Sequence, residues 1–512
     1  MKPLLFAFLL GLASACGFEP LKLWPLTILA FAGLIWLVDS APSLRSALAR
    51  GYWFAMGQFV LGLNWIATAF IYQDAMPHWL GWIAVVLLSF YLAVYPAMAT
   101  GLAWRWGRGV DSFRLVLIFA AAWIVTEWLR ATMFTGFAWN PVGVALLPTP
   151  LARSATLVGT YGLSGLLILI GGLVLLLVRR EWRASLGLAA GAAAVTGAAI
   201  LLTPATLPPT NIPLRIVQPN IGQEGKWTEA YADFILHRLG ELSRRPNQPA
   251  ILLWPEAAVT DSLEDGRDHP IYQADVDTTR RLVQQQMGMS GLLLTGGVTI
   301  RSANGVNASS ATNSIFAIDS SRRILGRYDK AHLVPYGEYL PMRPLLSAIG
   351  LSRLAPGNLD FDPGPGPQTL DLPLIGKAGF QLCYEIIFSG EVVDRENRPA
   401  FLFNPSNDAW FGPWGPPQHL AQARLRGLEE GLPVLRSTPT GISTVVDAEG
   451  ALLASLPLGR AGIIDTDLPA PKPPTLFARF GNVLPFAFAL LLVGAAWLSG
   501  RARPVAKRAE AG

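Results

Sequence analysis

The sequence predicts a multi-pass α-helical membrane domain joined to an α/β layered domain. Three observations predict it. Apolar runs crowd residues 1–203. After the Pro/Thr-rich stretch Thr203–Pro213 the pattern changes to short apolar or alternating runs separated by longer amphipathic ones. A last apolar run then follows near 482–499. Composition agrees: 52% of residues are apolar and only 15% charged, against about 25% charged in a typical globular domain. Seventeen Trp suit rings parked at a membrane interface.

The candidate spans lie near 3–17, 24–39, 52–71, 79–104, 114–132, 155–178, 185–203 and 482–499. A helix needs about 20 apolar residues to cross a bilayer, and the first two runs are short. Basic residues test the count. Arg45 and Arg50 follow the second span, Arg105, Arg108 and Arg114 flank the gap after the fourth, and Arg179, Arg180 and Arg183 follow the sixth. Arg501, Arg503, Lys507 and Arg508 follow the eighth. The alternate gaps hold only Lys22, none in Tyr72–His78, then Arg130 and Arg153. By the positive-inside rule both termini are expected in the cytoplasm and the 204–480 region outside it, in the periplasm of a cell with two membranes. The division is therefore 1–203 with seven helices, 204–480 as the outer domain, and 481–512 as a last helix with a basic tail. The start, Met1-Lys2 with Leu-Ala-Ser-Ala-Cys16, also looks like a secretory signal. The arginine alternation favours an uncleaved first span, and Cys16 reads as a small apolar membrane residue.

In the outer domain, strands are expected at Leu214–Gln218, Ala250–Trp254, Gly291–Val298, Ser314–Asp319, Gly379–Leu382, Ala400–Phe403, Pro433–Ser437 and Ser443–Asp447. Ala448-Glu449-Gly450 reads as a hairpin turn leading to Ala451–Ser455. Amphipathic helices are expected near 228–244, 272–289 and 418–430. Alternating strands and helices imply a layered α/β fold. Residues 341–367 are proline-rich around the apolar stretch Leu345–Leu354. Such a segment is either a lid that touches lipid or a packed surface loop.

Net charge is a modest +5. Without a Lys/Arg-dense face there is no case for nucleic acid. The five His form no cluster and no Gly-rich phosphate loop occurs, so neither a metal nor a nucleotide cofactor is expected.

Three residues carry the chemistry. Cys383, one of two cysteines, ends an apolar run in Gly-Phe-Gln-Leu-Cys-Tyr-Glu. A strand-to-helix turn there would favour its thiolate. Glu256 ends Ile-Leu-Leu-Trp-Pro-Glu, and a carboxylate at the end of a buried strand is costly unless paired or catalytic. It could take a thiol proton and later protonate a leaving alcohol. Lys330, in Tyr-Asp-Lys-Ala-His-Leu-Val-Pro-Tyr-Gly-Glu338, could lower the thiol pKa and steady an oxyanion. Each has a plain alternative: an inert buried Cys, a salt-bridged strand-end Glu, a solvated Lys. Together they are the parts of an acyl-transferring enzyme.

At this point the residues resemble the nitrilase (carbon–nitrogen hydrolase) superfamily. Trp254-Pro255-Glu256, Tyr328-Asp329-Lys330 and Cys383-Tyr384-Glu385 match its Glu–Lys–Cys motifs in order. The resemblance implies a four-layer αββα sandwich. The frame of seven spans, this domain and one more span is similar to the bacterial apolipoprotein N-acyltransferase family, as are the Lys330–Glu338 segment and Asn404-Pro-Ser-Asn-Asp-Ala-Trp-Phe-Gly. By that resemblance Cys383 is the nucleophile, Glu256 the base and Lys330 the oxyanion stabiliser. Glu338 is an accessory acid, and Tyr384 and Glu385 line the site. A ping-pong reaction is implied, from the sn-1 ester of a phospholipid, phosphatidylethanolamine foremost, through a Cys383 thioester to the α-amine of a diacylglyceryl-cysteine on an apolipoprotein. The resemblance also implies an inner-membrane protein, expected as a monomer.

A thioester must be kept from water. Trp410, Phe411 and Trp414, with Gly412 and Gly415 as hinges, could form an apolar arm, or could simply pack onto the headgroup layer. In the spans, Glu127 and Arg130 read better as a structural pair than a functional one. Two other readings stay open: a membrane-tethered amidase acting on a small amide, and a scaffold or transporter carrying an inactive domain.

Overall fold

A computed structural model describes residues 2–72, 76–109, 111–223, 229–348, 353–354 and 359–501. It consists of two compact units. One comprises Met1–Asn64, Trp82–Thr203 and Thr475–Gly512; the other comprises Trp65–Gly81 and Pro204–Pro474. Trp65–Gly81, inside the stretch read as membrane helices, thus packs with the sheets.

The first unit is helical. Among the described residues four helices are long and apolar enough to cross a membrane: Leu80–Gly107, Ser112–Thr132, Pro150–Val178 and Trp182–Leu202. A fifth counts if Leu44–Gly62 and Ile66–Tyr72 form one broken span. Lys2–Ala15, Trp24–Asp39 and Val483–Ser499 are apolar but shorter. Small residues let the helices touch. A Cβ on Gly11 would stand 1.9 Å from the Phe54 carbonyl oxygen, and one on Gly57 2.1 Å from that of Phe8. Glu127 and Arg130 are buried here. Glu127 Oε1 accepts from the Val142 amide at 2.9 Å, and Arg130 Nη1 donates to the Trp139 carbonyl at 2.8 Å. The pair pins the buried loop at 139–142 to its helix, which is the structural role.

The second unit holds two sheets. Its strands are β1 (Pro213–Gln218), β2 (Ile251–Leu253), β3 (Ser262–Asp265), β4 (Leu292–Arg301), β5 (Ser310–Asp319), β6 (Ile324–Asp329), β7 (Thr369–Leu372), β8 (Gly376–Phe380), β9 (Phe401–Pro405), β10 (Val434–Ser437), β11 (Thr444–Val446), β12 (Leu452–Ser455) and β13 (Gly462–Asp467). One sheet runs β13-β1-β2-β4-β5-β6, with β3 beside β4; the other runs β12-β11-β10-β9-β8-β7. Strands β1, β2 and β4 are parallel, as are β8, β9 and β10. The faces are joined where Ser437 Oγ donates to the Val217 carbonyl and the Ser443 amide to Gln218 Oε1, each at 2.9 Å.

Helices Glu229–Ser243 and Pro270–Met287 cover the first sheet. Their Leu239, Leu242, Val283 and Met287 bury against Leu252, Trp254, Leu293 and Phe316. Helix Gly415–Glu430 belongs to the half built on the second sheet. These are the layers that the sandwich expectation requires. Pro270–Met287 and Gly415–Glu430 begin slightly earlier than their apolar periodicity suggests, because Pro270 and Pro416 fit the first helical turn, where no donor is needed.

The sequence reading passed over β3, β6, β7 and β13. Each is short, edge-placed or carries polar residues on a half-exposed face, so the alternation that marks a strand is weak. Arg215 on β1 is buried across from Asp465 on β13, with Nε to Oδ1 at 2.6 Å. That pair joins positions far apart in the chain.

Candidate active site

Three strand ends supply the three residues. Glu256 follows β2, Lys330 follows β6 and Cys383 follows β8. Strands β2 and β8 are parallel to neighbours, and the carboxyl ends of parallel strands are where α/β folds commonly place chemistry, whereas β6 is antiparallel to β5. Glu256 is brought close by Gly296 on β4: a Cβ there would stand 2.7 Å from the Glu256 Cα. Cys383 itself has φ +52, a left-handed conformation in which only glycine is comfortable. It opens a five-residue 3₁₀ turn, Cys383–Ile387.

All three side chains are buried. Lys330 Nζ lies 2.9 Å from Glu338 Oε2, 3.0 Å from Glu338 Oε1 and 4.0 Å from Glu256 Oε1. Asn313 Nδ2 donates to Glu256 Oε1 at 2.9 Å and to Glu338 Oε1 at 2.8 Å. Glu256 Oε2 is buried with no hydrogen-bond partner among the described residues, so its lone pairs are open to a proton.

The electrostatics follow. Burial opposes the Lys330 ammonium, but Glu338, Glu256 and the Cys383 sulfur outweigh it and raise the pKa, so the lysine stays charged. Burial, then the Glu256 charge, push the Cys383 thiol well above its usual range, against the pull of Lys330 and the Asn407 amide. The expected thiolate-favouring turn does not prevail at rest. The turn is too short for a helix dipole, and a carboxylate stands beside the sulfur.

Glu385, expected to line the site, ties two segments together. Its Oε1 accepts from Tyr328 OH at 2.8 Å and from the Ala331 and His332 amides at 2.7 and 3.0 Å; Oε2 accepts from the Leu382 amide at 2.7 Å. The turns on either side of Lys330 and Cys383 therefore share one carboxylate. Burial raises the Glu385 pKa against these bonds. Tyr384 is buried, with its ring 5.9 Å from His332 and 5.3 Å from Phe388.

Trp410 and Phe411 lie in the 3₁₀ turn Asp408–Phe411. Phe411 packs edge-on against Trp65 at 4.6 Å, and Trp410 against Tyr72 at 5.8 Å. The segment Trp65–Tyr72 is thus their immediate partner. A Cβ on Gly412 would meet Thr68 Oγ1 at 2.8 Å, and one on Gly415 would meet the Phe411 Cβ at 2.3 Å. Both glycines are tightly packed. Of the expected lid, residues 349–352 and 355–358 lie outside the described residues; the described part includes the short helix Arg343–Ala348 with Leu345 exposed.

Sequence reasoning missed Asn313, His419 and Arg436 and gave no role to Asn404 and Asp408, all buried in this half of the chain. A polar run, Thr312-Asn313-Ser314, inside an otherwise apolar strand was the available signal for Asn313. No group of three or more His, Cys, Asp or Glu among the described residues is arranged to hold a metal ion.

Residues 10–173 match the apolipoprotein N-acyltransferase N-terminal domain, and residues 214–472 match the carbon–nitrogen hydrolase domain. An apolipoprotein N-acyltransferase of Rhodopseudomonas palustris is 35% identical, covering 96% of this chain and 94% of its own. That of Bradyrhizobium diazoefficiens is 36% identical over 99% and 96%, and that of Caulobacter vibrioides 36% over 97% and 94%. Among solved structures, an amidase from Nesterenkonia matches at a TM-score of 0.33 and 16% identity, covering 52% of this chain and 92% of its own. A carbon–nitrogen hydrolase from Helicobacter pylori matches at 0.35 and 14%, covering 57% and 95%.

Proposed function

The chain belongs to the apolipoprotein N-acyltransferase family, and from that premise we propose how it works. It moves an acyl chain from the sn-1 position of a phospholipid, phosphatidylethanolamine foremost, to the α-amine of the diacylglyceryl-cysteine of an apolipoprotein. The observation that carries this reading is the buried meeting of Glu256, with one free carboxylate oxygen, and a charge-locked Lys330 beside Cys383.

Because the resting thiol is protonated, proton transfer accompanies attack. Glu256 Oε2 takes the proton as the Cys383 sulfur bonds to the ester carbonyl carbon. The carbonyl oxygen becomes an oxyanion next to Lys330. Collapse breaks the ester C–O bond, the glycerol oxygen recovers the proton from Glu256, and lysophospholipid leaves. An acyl thioester remains on Cys383. The apolipoprotein amine then attacks the thioester carbon and gives one proton to Glu256. The C–S bond breaks, and the departing sulfur takes that proton back. Glu338 and Asn313 keep Lys330 and Glu256 in register, and Glu385 holds the two turns together.

Trp410 and Phe411, backed by Tyr72 and Trp65, act as the apolar arm that keeps water from the thioester. The arginine alternation supports both termini cytoplasmic and residues 204–480 in the periplasm; we take the protein to act in the inner membrane as a monomer. Residues 1–203 and the helix Val483–Arg501 form its membrane part, apart from Trp65–Gly81, which packs with the catalytic unit, and the basic tail beyond the last helix lies in the cytoplasm.

Mass spectrometry tests the central step. Purified protein incubated with a defined phospholipid gains one acyl group on the Cys383 peptide, and an apolipoprotein peptide with a diacylglyceryl-cysteine discharges it. An unmodified Cys383 together with turnover of small amides would replace this reading with that of a membrane-tethered amidase.

A further inference from the structure

The nucleophile's backbone is held by a buried network that the mechanism above does not use. Cys383 has φ +52, and a non-glycine residue stays there only where its surroundings over-determine it. Its carbonyl oxygen meets His419 Nε2 at 3.0 Å and Asn404 Nδ2 at 3.4 Å. A carbonyl only accepts, so His419 Nε2 carries its hydrogen. His419 Nδ1 faces Asp408 Oδ1 and Arg436 Nη2, each at 2.9 Å. Arg436 Nη2 donates to both Asp408 oxygens at 2.7 Å, Nη1 donates to Ser406 Oγ at 2.9 Å, and Nη1 also donates to Asn404 Oδ1. His419, Asp408, Arg436 and Asn404 are all at most 1% exposed.

Such a cluster is expensive to bury unless it fixes something. What it fixes is the Cys383 carbonyl, and hence the direction of the Cα–Cβ bond that carries the sulfur. The same cluster anchors the arm. Asp408 opens the turn that ends in Phe411, and the Phe411 ring lies 5.8 Å from the His419 ring.

We propose that His419 is a positioning residue for the nucleophile: its Nε2–H holds the Cys383 carbonyl, Arg436 Nη2 donates to its unprotonated Nδ1, and Asp408 in turn holds Arg436. The proposal rests on Cys383 being the nucleophile. Burial and the Arg436 charge keep the His419 pKa below its usual value, which suits a neutral donor of fixed tautomer rather than a proton carrier.

The pair His419→Gln and His419→Asn separates positioning from mere packing. Gln places a donor near the Nε2 position, whereas Asn reaches only the Nδ1 partners. Full-length protein in detergent with phosphatidylethanolamine vesicles is assayed for single-turnover thioester formation, phospholipid KM and thermal midpoint. A misplaced nucleophile can cost on the order of 10²-fold. His419→Asn is expected to slow thioester formation about 30-fold or more with KM changed less than about threefold, and His419→Gln to stay within about fivefold of the parent. Equal losses in both variants that follow equal drops in midpoint would overturn the proposal, as would a fully active His419→Asn. Alkylation of Cys383 by iodoacetamide, located by peptide mapping, is followed in the same proteins and needs no lipid. A parent that alkylates at Cys383 yet forms no thioester would fail the acyl-transfer reading alone, and a slower Cys383 alkylation in Asn than in Gln would still sustain the role of His419.

Discussion

Asn313 donates its carboxamide to Glu256 Oε1 at 2.9 Å and to Glu338 Oε1 at 2.8 Å, so one neutral side chain bridges the proposed base to the partner of Lys330. Asn313→Asp would set a third carboxylate against these two. Like charges at this distance raise one another's pKa, and Asn313→Asp is expected to lower thioester formation by about 10²-fold. Single-turnover rates with a defined phospholipid check it; a rate within threefold of the parent would remove Asn313 from the argument.

Glu338 neutralises a lysine that is 1% exposed. Removing one partner of a buried ion pair typically costs about 3–5 kcal/mol. Glu338→Ala is therefore expected to lower both the thermal midpoint and the acylation rate. Glu338→Gln keeps the shape without the charge, and should recover much of the midpoint while leaving the rate low.

Glu385 accepts three backbone amides and one phenol. Each buried donor left without an acceptor costs about 1–3 kcal/mol. Glu385→Ala should be among the most destabilising single changes in the catalytic unit, visible as a large drop in melting temperature in detergent before any assay of transfer.

Glu430 provides a pH test. It is buried beside Glu429, with Arg395, Arg398 and Arg426 acting on it, and burial followed by the Glu429 charge raises its pKa to about 7. The unfolded value is about 4.3. A folded pKa raised above the unfolded one means that this group's contribution is fully present below the unfolded pKa. It is lost as pH climbs toward and through 7, and amounts to about 4 kcal/mol. Glu430→Gln cannot ionise. The midpoint difference between Glu430→Gln and the parent should grow in favour of Gln from pH 5 to pH 8. A difference that does not change with pH would contradict the assignment.

Trp410, proposed above as part of the arm that shields the thioester, packs its ring on Tyr72. Trp410→Ala should leave Cys383 acylation within a few-fold and raise the share of acyl chain lost to water rather than to peptide amine. Free fatty acid against acylated peptide, measured by mass spectrometry, reads that ratio; an unchanged ratio would leave the arm without a shielding role.

The apolar runs and the change of period after Pro213 were enough to divide the chain in kind, because burial in lipid and burial in a sheet impose different spacings on the same residue types. Glu256 and Cys383 stood out as candidates because each ends an apolar run, whereas Lys330, which follows the overlooked β6, stood out only through its Tyr-Asp-Lys segment. The shapes of the short edge strands β3 and β7 were not legible, since their pairing is set by neighbours distant in sequence. Nor were Asn313, His419 and Arg436. A buried polar residue looks like any other polar residue until the fold supplies its partners, and those of His419 come from Asp408, Arg436 and Cys383 at once. The sequence alone determined which groups could react and that membrane helices accompany them. Only the tertiary structure decided that the thiol's pKa is pushed up, because burial and the nearness of Glu256 and Lys330 exist only once β2, β6 and β8 have brought their ends together.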